Sequence, residues 1–263
     1  MELSIIIPVY NSAKILPILV DEIEKVLKIK IDKIEIIFVN DFSIDSSWEK
    51  IKELAKEKKF IKGINLKENY GQHNAIAAGL SISKGKFVVL MDDDLQHDPI
   101  YIDKILNELK NGYDSCYVKY IKRKHSFIKV FISWINHITS SYLSEKPNNI
   151  YTSSFKGFKN KITKKINDDK NFEVFLDWLI LENSQSIQSI EIVHRERLEG
   201  KTNYNFRKLL FLWSNMILRI KPRAKIKKII IFFLKFFIIS IIYKLLSKKN
   251  YKEKFLIKET TFS

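Results

Sequence analysis

Four β-branched runs, at residues 3–8, 34–39, 61–66 and 87–91, alternate with stretches of helical periodicity at 13–27, 47–58 and 73–83. This alternation is the feature that most constrains the fold. It predicts right-handed β-α-β units and a mostly parallel sheet covered on both faces by helices. Sheets of that kind bind ligands beyond the carboxyl ends of their strands. The polar clusters fall at those ends: Tyr10 and Asn11 after the first run, Asn40 and Asp41 after the second, Asn69 after the third, and Asp92, Asp93 and Asp94 after the fourth.

Beyond about Tyr117 the pattern loosens into a basic stretch from Lys119 to His125, followed by an apolar segment at 127–138. A strand is expected at 150–158, a helix at 172–182 and a strand at 187–194, so one catalytic α/β domain is expected to occupy residues 1–205. With 263 residues, 46% of them apolar, the chain can bury a core of that size.

The character then changes. Phe206, Leu209, Leu210, Trp213, Met216, Ile217 and Ile220 recur at helical spacing and describe an amphipathic helix. Residues 229–242 are apolar except for Lys235 and Ser240. As a helix this run reaches roughly 21 Å against a hydrocarbon core of roughly 30 Å, so its length leaves a single span and an in-plane anchor both open. Residues 206–250 are therefore expected to associate with a membrane, and 251–263 to form a basic tail.

The formal charge of +16 calls for an anionic partner, and twelve Lys or Arg against the single acid Glu253 lie between Arg219 and Lys254. Basic and apolar residues together favour an anionic membrane surface over nucleic acid, and the basic stretch near Lys119 adds to that attraction. Cys116 is the only cysteine, which excludes an intrachain disulfide and fits a reducing compartment. It lies in an apolar, strand-like run and is expected to be inert core. The N-terminus has no basic region ahead of its short apolar run, so it reads as a first strand rather than a signal peptide. The cytoplasmic face of a membrane is the expected location.

The sharpest local signal is the strand Val88-Val89-Leu90-Met91 feeding Asp92, Asp93 and Asp94. Adjacent carboxylates are costly unless a cation sits among them. Hard divalent cations commonly bridge one or two carboxylates to substrate phosphates, and there they offset the charge of a departing diphosphate. An isolated acidic string would read as a solvated turn, but its place after a buried strand favours metal binding. No phosphate-binding loop, dinucleotide fingerprint or zinc spacing occurs.

At these residues the sequence resembles glycosyltransferase family 2, in particular its polyprenyl-phosphate sugar synthases such as dolichyl-phosphate mannose synthase. The resemblance is carried by Ile5-Ile6-Ile7-Pro8-Val9-Tyr10-Asn11, by residues 39–46 around Asn40-Asp41-Phe42-Ser43, by Asn69-Tyr70-Gly71-Gln72-His73-Asn74-Ala75 and by residues 91–99. It extends to Arg197-Leu-Glu-Gly200-Lys-Thr202-Asn203-Tyr204.

The resemblance implies a GT-A fold and an inverting transfer from a nucleotide-diphosphosugar, with Mg²⁺ or Mn²⁺. It implies that Pro8, Tyr10, Asn11, Asp41 and Asn69 line the donor site, that Asp92 and Asp94 handle metal and diphosphate, and that Asp93 stands at the variable position between them. Gln96 would stand near the sugar or the acceptor phosphate. Arg197, Gly200, Thr202 and Tyr204 would form an acceptor loop in which Arg197 and Thr202 approach the phosphate of the acceptor or donor. Three positions depart from the family's usual pattern: Ser12 replaces an acid, Asn40 replaces the first acid of its loop, and Phe42 replaces a glycine.

The expected reaction passes a sugar to a polyprenyl phosphate. The alternative acceptor is a hydroxyl of a lipid-linked glycan in surface-polysaccharide assembly; a nucleotidyltransferase and a basic nucleic-acid-binding protein stand behind both. A phosphate acceptor is already anionic, whereas a hydroxyl must lose its proton in the transition state. Asp177, which interrupts an apolar helical run, is the candidate base for that second case and otherwise reads as an ordinary helix position.

Overall fold

The computed structural model describes residues 1–27, 31–121, 152–168, 176–193 and 255–262. The expected amphipathic and apolar helices within 206–250 lie outside these residues. Among the described residues no helix is long and apolar enough to cross a membrane.

The four predicted strands form as β1 (Leu3–Val9), β2 (Ile34–Asn40), β3 (Ile61–Leu66) and β4 (Phe87–Leu90). They are joined by α1 (Leu16–Val26), α2 (Ser47–Glu57) and α3 (Gln72–Ile82), followed by α4 (Ile102–Lys110). The chain continues through β5 (Ser115–Ile121), β6 (Lys156–Lys159), α5 (Asn160–Asp168), α6 (Leu176–Glu182), β7 (Ile187–Val193) and β8 (Ile257–Thr260). All eight strands join one sheet in the order β7-β5-β6-β4-β1-β2-β3-β8. Strands β4, β1, β2 and β3 run parallel, β6 is antiparallel to β4 and β5, and β8 is antiparallel to β3.

Strand pleating explains why these runs are apolar throughout rather than alternating. Leu3, Ile5, Ile7 and Val9 face one layer with Ile36, Phe38 and Val89, packed by Leu16, Leu19 and Ile23 of α1, Ile51 of α2 and Ile105 of α4. Ile6, Ile37, Val39, Val88 and Leu90 face the opposite layer, packed by α3, α5 and α6. A sheet buried on both faces needs apolar residues at both phases of its two-residue period. Helix α3 packs close against the sheet: a Cβ on Gly79 would stand 2.5 Å from Ile6 Cγ2.

The buried Glu35 of β2 is paired within the sheet. Glu35 accepts from Ser4 Oγ at 2.6 Å, from the Lys84 backbone N–H at 2.6 Å and from Lys62 Nζ at 2.6 Å. Burial alone would raise its pKa, but these donors outweigh burial and hold the carboxyl below its usual range. Ser4 in turn accepts from Gly85 N–H at 2.8 Å.

Three elements differ from expectation. The strand expected over 150–158 is confined, among residues 152–158, to β6; the helix expected over 172–182 is present as α6, its residues 172–175 lying outside the described ones. Helix α5 was not anticipated, because its segment is mostly Lys, Asn and Asp; Ile162 and Ile166, four apart, supply its buried stripe. The Lys-rich tail contributes strand β8. Trp48 Nε1 donates to Glu259 at 2.8 Å and Gly63 N–H donates to Thr261 Oγ1 at 2.7 Å, so these residues cover the β3 edge.

Candidate active site at the carboxyl edge of the sheet

Because β1, β2, β3 and β4 are parallel, the loops after them share one edge. Three non-glycine residues there adopt left-handed backbone conformations: Asn11 (φ 58°), Phe42 (φ 61°) and Leu95 (φ 60°). Such conformations cost of order 1–3 kcal/mol each and gather at functional sites. Gly71, at φ 87°, opens α3 on the same edge.

The loops are laced together. Asn11 N–H donates to Ser43 Oγ at 3.0 Å, and Ile44 N–H donates to Asn11 Oδ1 at 2.8 Å. Asp45 accepts from Ala13 N–H at 3.1 Å and from Ser47 Oγ at 2.5 Å. Asn40 donates to Asn65 Oδ1 at 2.8 Å and accepts from Ser43 Oγ at 2.5 Å. Pro8 is buried within β1 opposite Val39, whereas Tyr10 stands 39% exposed just beyond the strand.

Asp41 acts as a brace. Its two carboxylate oxygens accept from the Tyr70 and Gly71 N–H groups at 2.7 and 2.8 Å, and Asn69 Nδ2 donates to its carbonyl at 3.0 Å. Burial raises the Asp41 pKa and the two backbone donors offset part of that rise.

The three consecutive acids take three different surroundings. Asp92 accepts from Gln72 Nε2 at 2.7 Å through Oδ1 and from Ser154 Oγ at 2.8 Å through Oδ2. Its own N–H donates to His97 Nδ1 at 2.9 Å, which leaves the His97 proton on Nε2, 3.4 Å from Asp92 Oδ2. The His97 ring stacks on Phe155, with centroids 4.8 Å apart. Asp93 turns toward the β1 loop and accepts from Ser12 Oγ at 2.5 Å and Tyr10 N–H at 3.1 Å. Burial is the main reason its pKa is pushed up to about 6, with the charges of Asp92 and Asp94 adding and the two hydrogen bonds opposing. Asp94 accepts from the Gln96 N–H at 3.2 Å, which closes a tight turn.

Beside this edge lies a buried polar group. Lys156 of β6 pairs with Asp177 of α6, both largely enclosed, and its Nζ sits 5.5 Å from the Tyr117 ring centroid. Burial first, then the charge and hydrogen bond of Asp177, pushes the Tyr117 hydroxyl well above its usual range. Burial lowers the pKa of the neighbouring His73, which Asp177, Lys156 and Asp92 all influence.

The expected acidic cluster is thus at the sheet edge, but its three side chains do not converge. Among the described residues no group of three His, Cys, Asp or Glu side chains could hold a metal. Asp92 and Asp94 supply two carboxylates at this edge. A carboxylate has about four lone-pair sites, and a small divalent ion commonly takes one or two carboxylates and completes its shell with phosphates and water. Arg197, Gly200, Thr202 and Tyr204 lie outside the described residues. Sequence reasoning missed Ser154, which precedes β6 and lies 62 residues from Asp92, and Lys156, the first residue of β6. Gln72 and His97 lay inside the motifs already quoted, without a sign of their role.

Residues 4–167 match the family model for glycosyl transferase family 2. The chain is 29% identical over 217 residues to the undecaprenyl-phosphate 4-deoxy-4-formamido-L-arabinose transferase of Yersinia enterocolitica, covering 82% of this chain and 66% of that protein. It is 27% identical to the protein of that name from Photorhabdus laumondii, covering 82% and 67%. The chain thus spans about two thirds of the length of these relatives. Among solved structures, S. aureus TarS 1-349 in complex with UDP-GlcNAc superposes with a TM-score of 0.59 at 17% identity, over 95% of this chain and 76% of that one. The mannosyltransferase PcManGT from Pyrobaculum calidifontis, in complex with GDP-Man and Mn²⁺, superposes with a TM-score of 0.60 at 16% identity, over 95% and 76%.

Proposed function

The chain belongs to glycosyl transferase family 2 and has the GT-A type of fold, and on that premise we propose that it transfers a sugar from a nucleotide-diphosphosugar to a polyprenyl phosphate at a membrane surface. The observation that carries this reading is the fixed setting of Asp92 at the end of β4, held by Gln72, Ser154 and His97. That edge is where a parallel sheet receives a phosphorylated ligand. The names of the relatives, which specify undecaprenyl phosphate, support the acceptor class.

In this reading Tyr10, Asn11 and the loops braced by Asp41 receive the nucleoside, with Pro8 and Asn69 supporting them. Asp92 and Asp94 would hold Mg²⁺ or Mn²⁺, which when bound neutralises charge on the leaving nucleoside diphosphate. Asp93 keeps the β1 loop against the β4 loop, and Gln96 stands beside the reacting sugar. Arg197, Gly200, Thr202 and Tyr204 draw in the acceptor phosphate, for which a guanidinium is geometrically suited. The acceptor oxygen attacks the anomeric carbon from the face opposite the departing diphosphate, which inverts that centre.

The surroundings of Asp177 favour a phosphate acceptor over a hydroxyl. The Lys156 ammonium already engages the Asp177 carboxylate, and an anionic phosphate needs no base. The basic residues of the C-terminal half would hold the enzyme to the anionic cytoplasmic leaflet by a peripheral or single-span attachment.

The test incubates the full chain in membranes with a panel of nucleotide sugars and undecaprenyl phosphate, with and without chelator, and identifies lipid products by mass. Metal-dependent release of a nucleoside diphosphate with a glycosylated lipid phosphate is the expected result. Sugar found only on a glycan hydroxyl, or pyrophosphate as the released product, would overturn it.

A further inference from the structure

Phe42 combines two features that local structure does not explain. Its backbone is left-handed at φ 61°, and its side chain is 50% exposed. A side chain other than glycine, asparagine or aspartate loses roughly 1–2 kcal/mol in that conformation. The other two left-handed residues of this edge have evident reasons to be there: asparagine tolerates the conformation at position 11, and Leu95 is 2% exposed, so packing compensates its strain. Phe42 has strain without full burial.

The loop that carries it is rigid. Asp41 is clamped by Tyr70 and Gly71 on one side, and on the other the Ser43 N–H and hydroxyl both reach Asn40 Oδ1. Its neighbour is the loop of Tyr10, the other exposed aromatic of this edge among the described residues, and the Asn11–Ser43 and Ile44–Asn11 hydrogen bonds join the two loops. Val9 and Asn40, the last residues of β1 and β2, are in register, so the two aromatics emerge from adjacent strand ends.

We infer that Phe42 is a stacking surface for the nucleobase of the donor and forms, with Tyr10, an aromatic mouth to the nucleoside site; the inference rests on the nucleotide-sugar reading above. Every nucleobase presents a π-face, and stacking on an aromatic side chain is tolerant of base identity. Phe42 therefore raises donor affinity without selecting the base. A preorganised loop loses little further freedom when the base arrives, and this is the return on the backbone strain.

The test measures binding of UDP and GDP with Mn²⁺ to the full chain in detergent, using pyrophosphate with Mn²⁺ as a probe that lacks a base. Phe42→Gly should weaken nucleoside diphosphate binding about tenfold. It should leave pyrophosphate binding unchanged and keep the nucleotide-free melting temperature at or above wild type, because glycine relieves the strain. Phe42→Trp should retain nucleotide affinity. Nucleoside diphosphate binding within twofold of wild type in Phe42→Gly would overturn the inference alone, as would equal weakening toward pyrophosphate. Loss of flotation with phosphatidylglycerol vesicles while nucleotide binding is intact would reassign Phe42 to the membrane and also overturn it. A wild-type chain that binds no nucleoside diphosphate would sink the donor reading and this inference together.

Discussion

The side-chain amide of Gln72 donates to Asp92 Oδ1 at 2.7 Å and so ties the first turn of α3 to the end of β4. With Ser154 on the other oxygen, Asp92 is held in one orientation by elements far apart in the chain. Partners that orient a metal-binding carboxylate typically account for 10–100-fold in activity or metal affinity. Gln72→Ala and Ser154→Ala should each lower kcat by about tenfold and raise the Mn²⁺ concentration for half-maximal rate, with folding retained by circular dichroism. Asp92→Asn and Asp94→Asn should reduce turnover to background in the same assay. Full activity in both asparagine variants would remove the acids from the reaction.

Lys156 and Asp177 pair in a mostly buried setting, so removing one partner strands the other charge. Lys156→Met should lower unfolding stability by about 3–5 kcal/mol, read from denaturant midpoints. Lys156→Met combined with Asp177→Leu should recover much of that loss. For turnover, Asp177→Asn should cost less than about tenfold with a phosphate acceptor, which needs no base. A thousandfold loss of kcat in a folded Asp177→Asn protein would reinstate Asp177 as the base and a hydroxyl as the acceptor.

Asp114 titrates low. Burial would raise its pKa, but hydrogen bonds from Lys161, the Gln185 N–H and Lys159 overcome this and hold it at about 2 against an ordinary 3.8. A depressed carboxylate pKa stabilises the fold above the unfolded value, and that stability is lost as pH falls through the folded value. Asp114→Asn should therefore cost about 2 kcal/mol at pH 7 and progressively less between pH 4 and pH 2. A deficit independent of pH down to 2 would mean that packing, not charge, accounts for it.

Strand β8 covers the β3 edge through pairing of Ile64 with Thr260 and through the Trp48–Glu259 hydrogen bond. Deleting residues 256–263 should expose that edge, lower the melting temperature by several degrees, shift Trp48 emission to the red and promote concentration-dependent association. Unchanged melting and fluorescence would show that β8 contributes nothing to the fold.

The first half of the fold was legible in the sequence because its information is local. Runs such as Ile5-Ile6-Ile7 and Ile36-Ile37-Phe38 are apolar at both phases of the strand period, which only a sheet covered on both faces requires. The motifs at the strand ends placed Tyr10, Asn11, Asp41 and the acids on one edge, since parallel strands bring their carboxyl ends together. Strand β8 and helix α5 were not legible, because Ile-Lys-Glu-Thr and a Lys-rich stretch take their structure from the surfaces they meet.

What the sequence determined by itself was therefore the α/β alternation, the chemical types at the carboxyl edge and the family they point to. Tertiary structure alone decided what surrounds each acid. Asp92, Asp93 and Asp94 are chemically identical and adjacent, so their side chains alone do not reveal the surroundings each one takes. Gln72 with Ser154 holds the first, Ser12 holds the second and the Gln96 N–H meets the third. Carboxylates acquire different roles only from the donors, charges and burial around them, and those are supplied by residues that the fold brings from elsewhere in the chain.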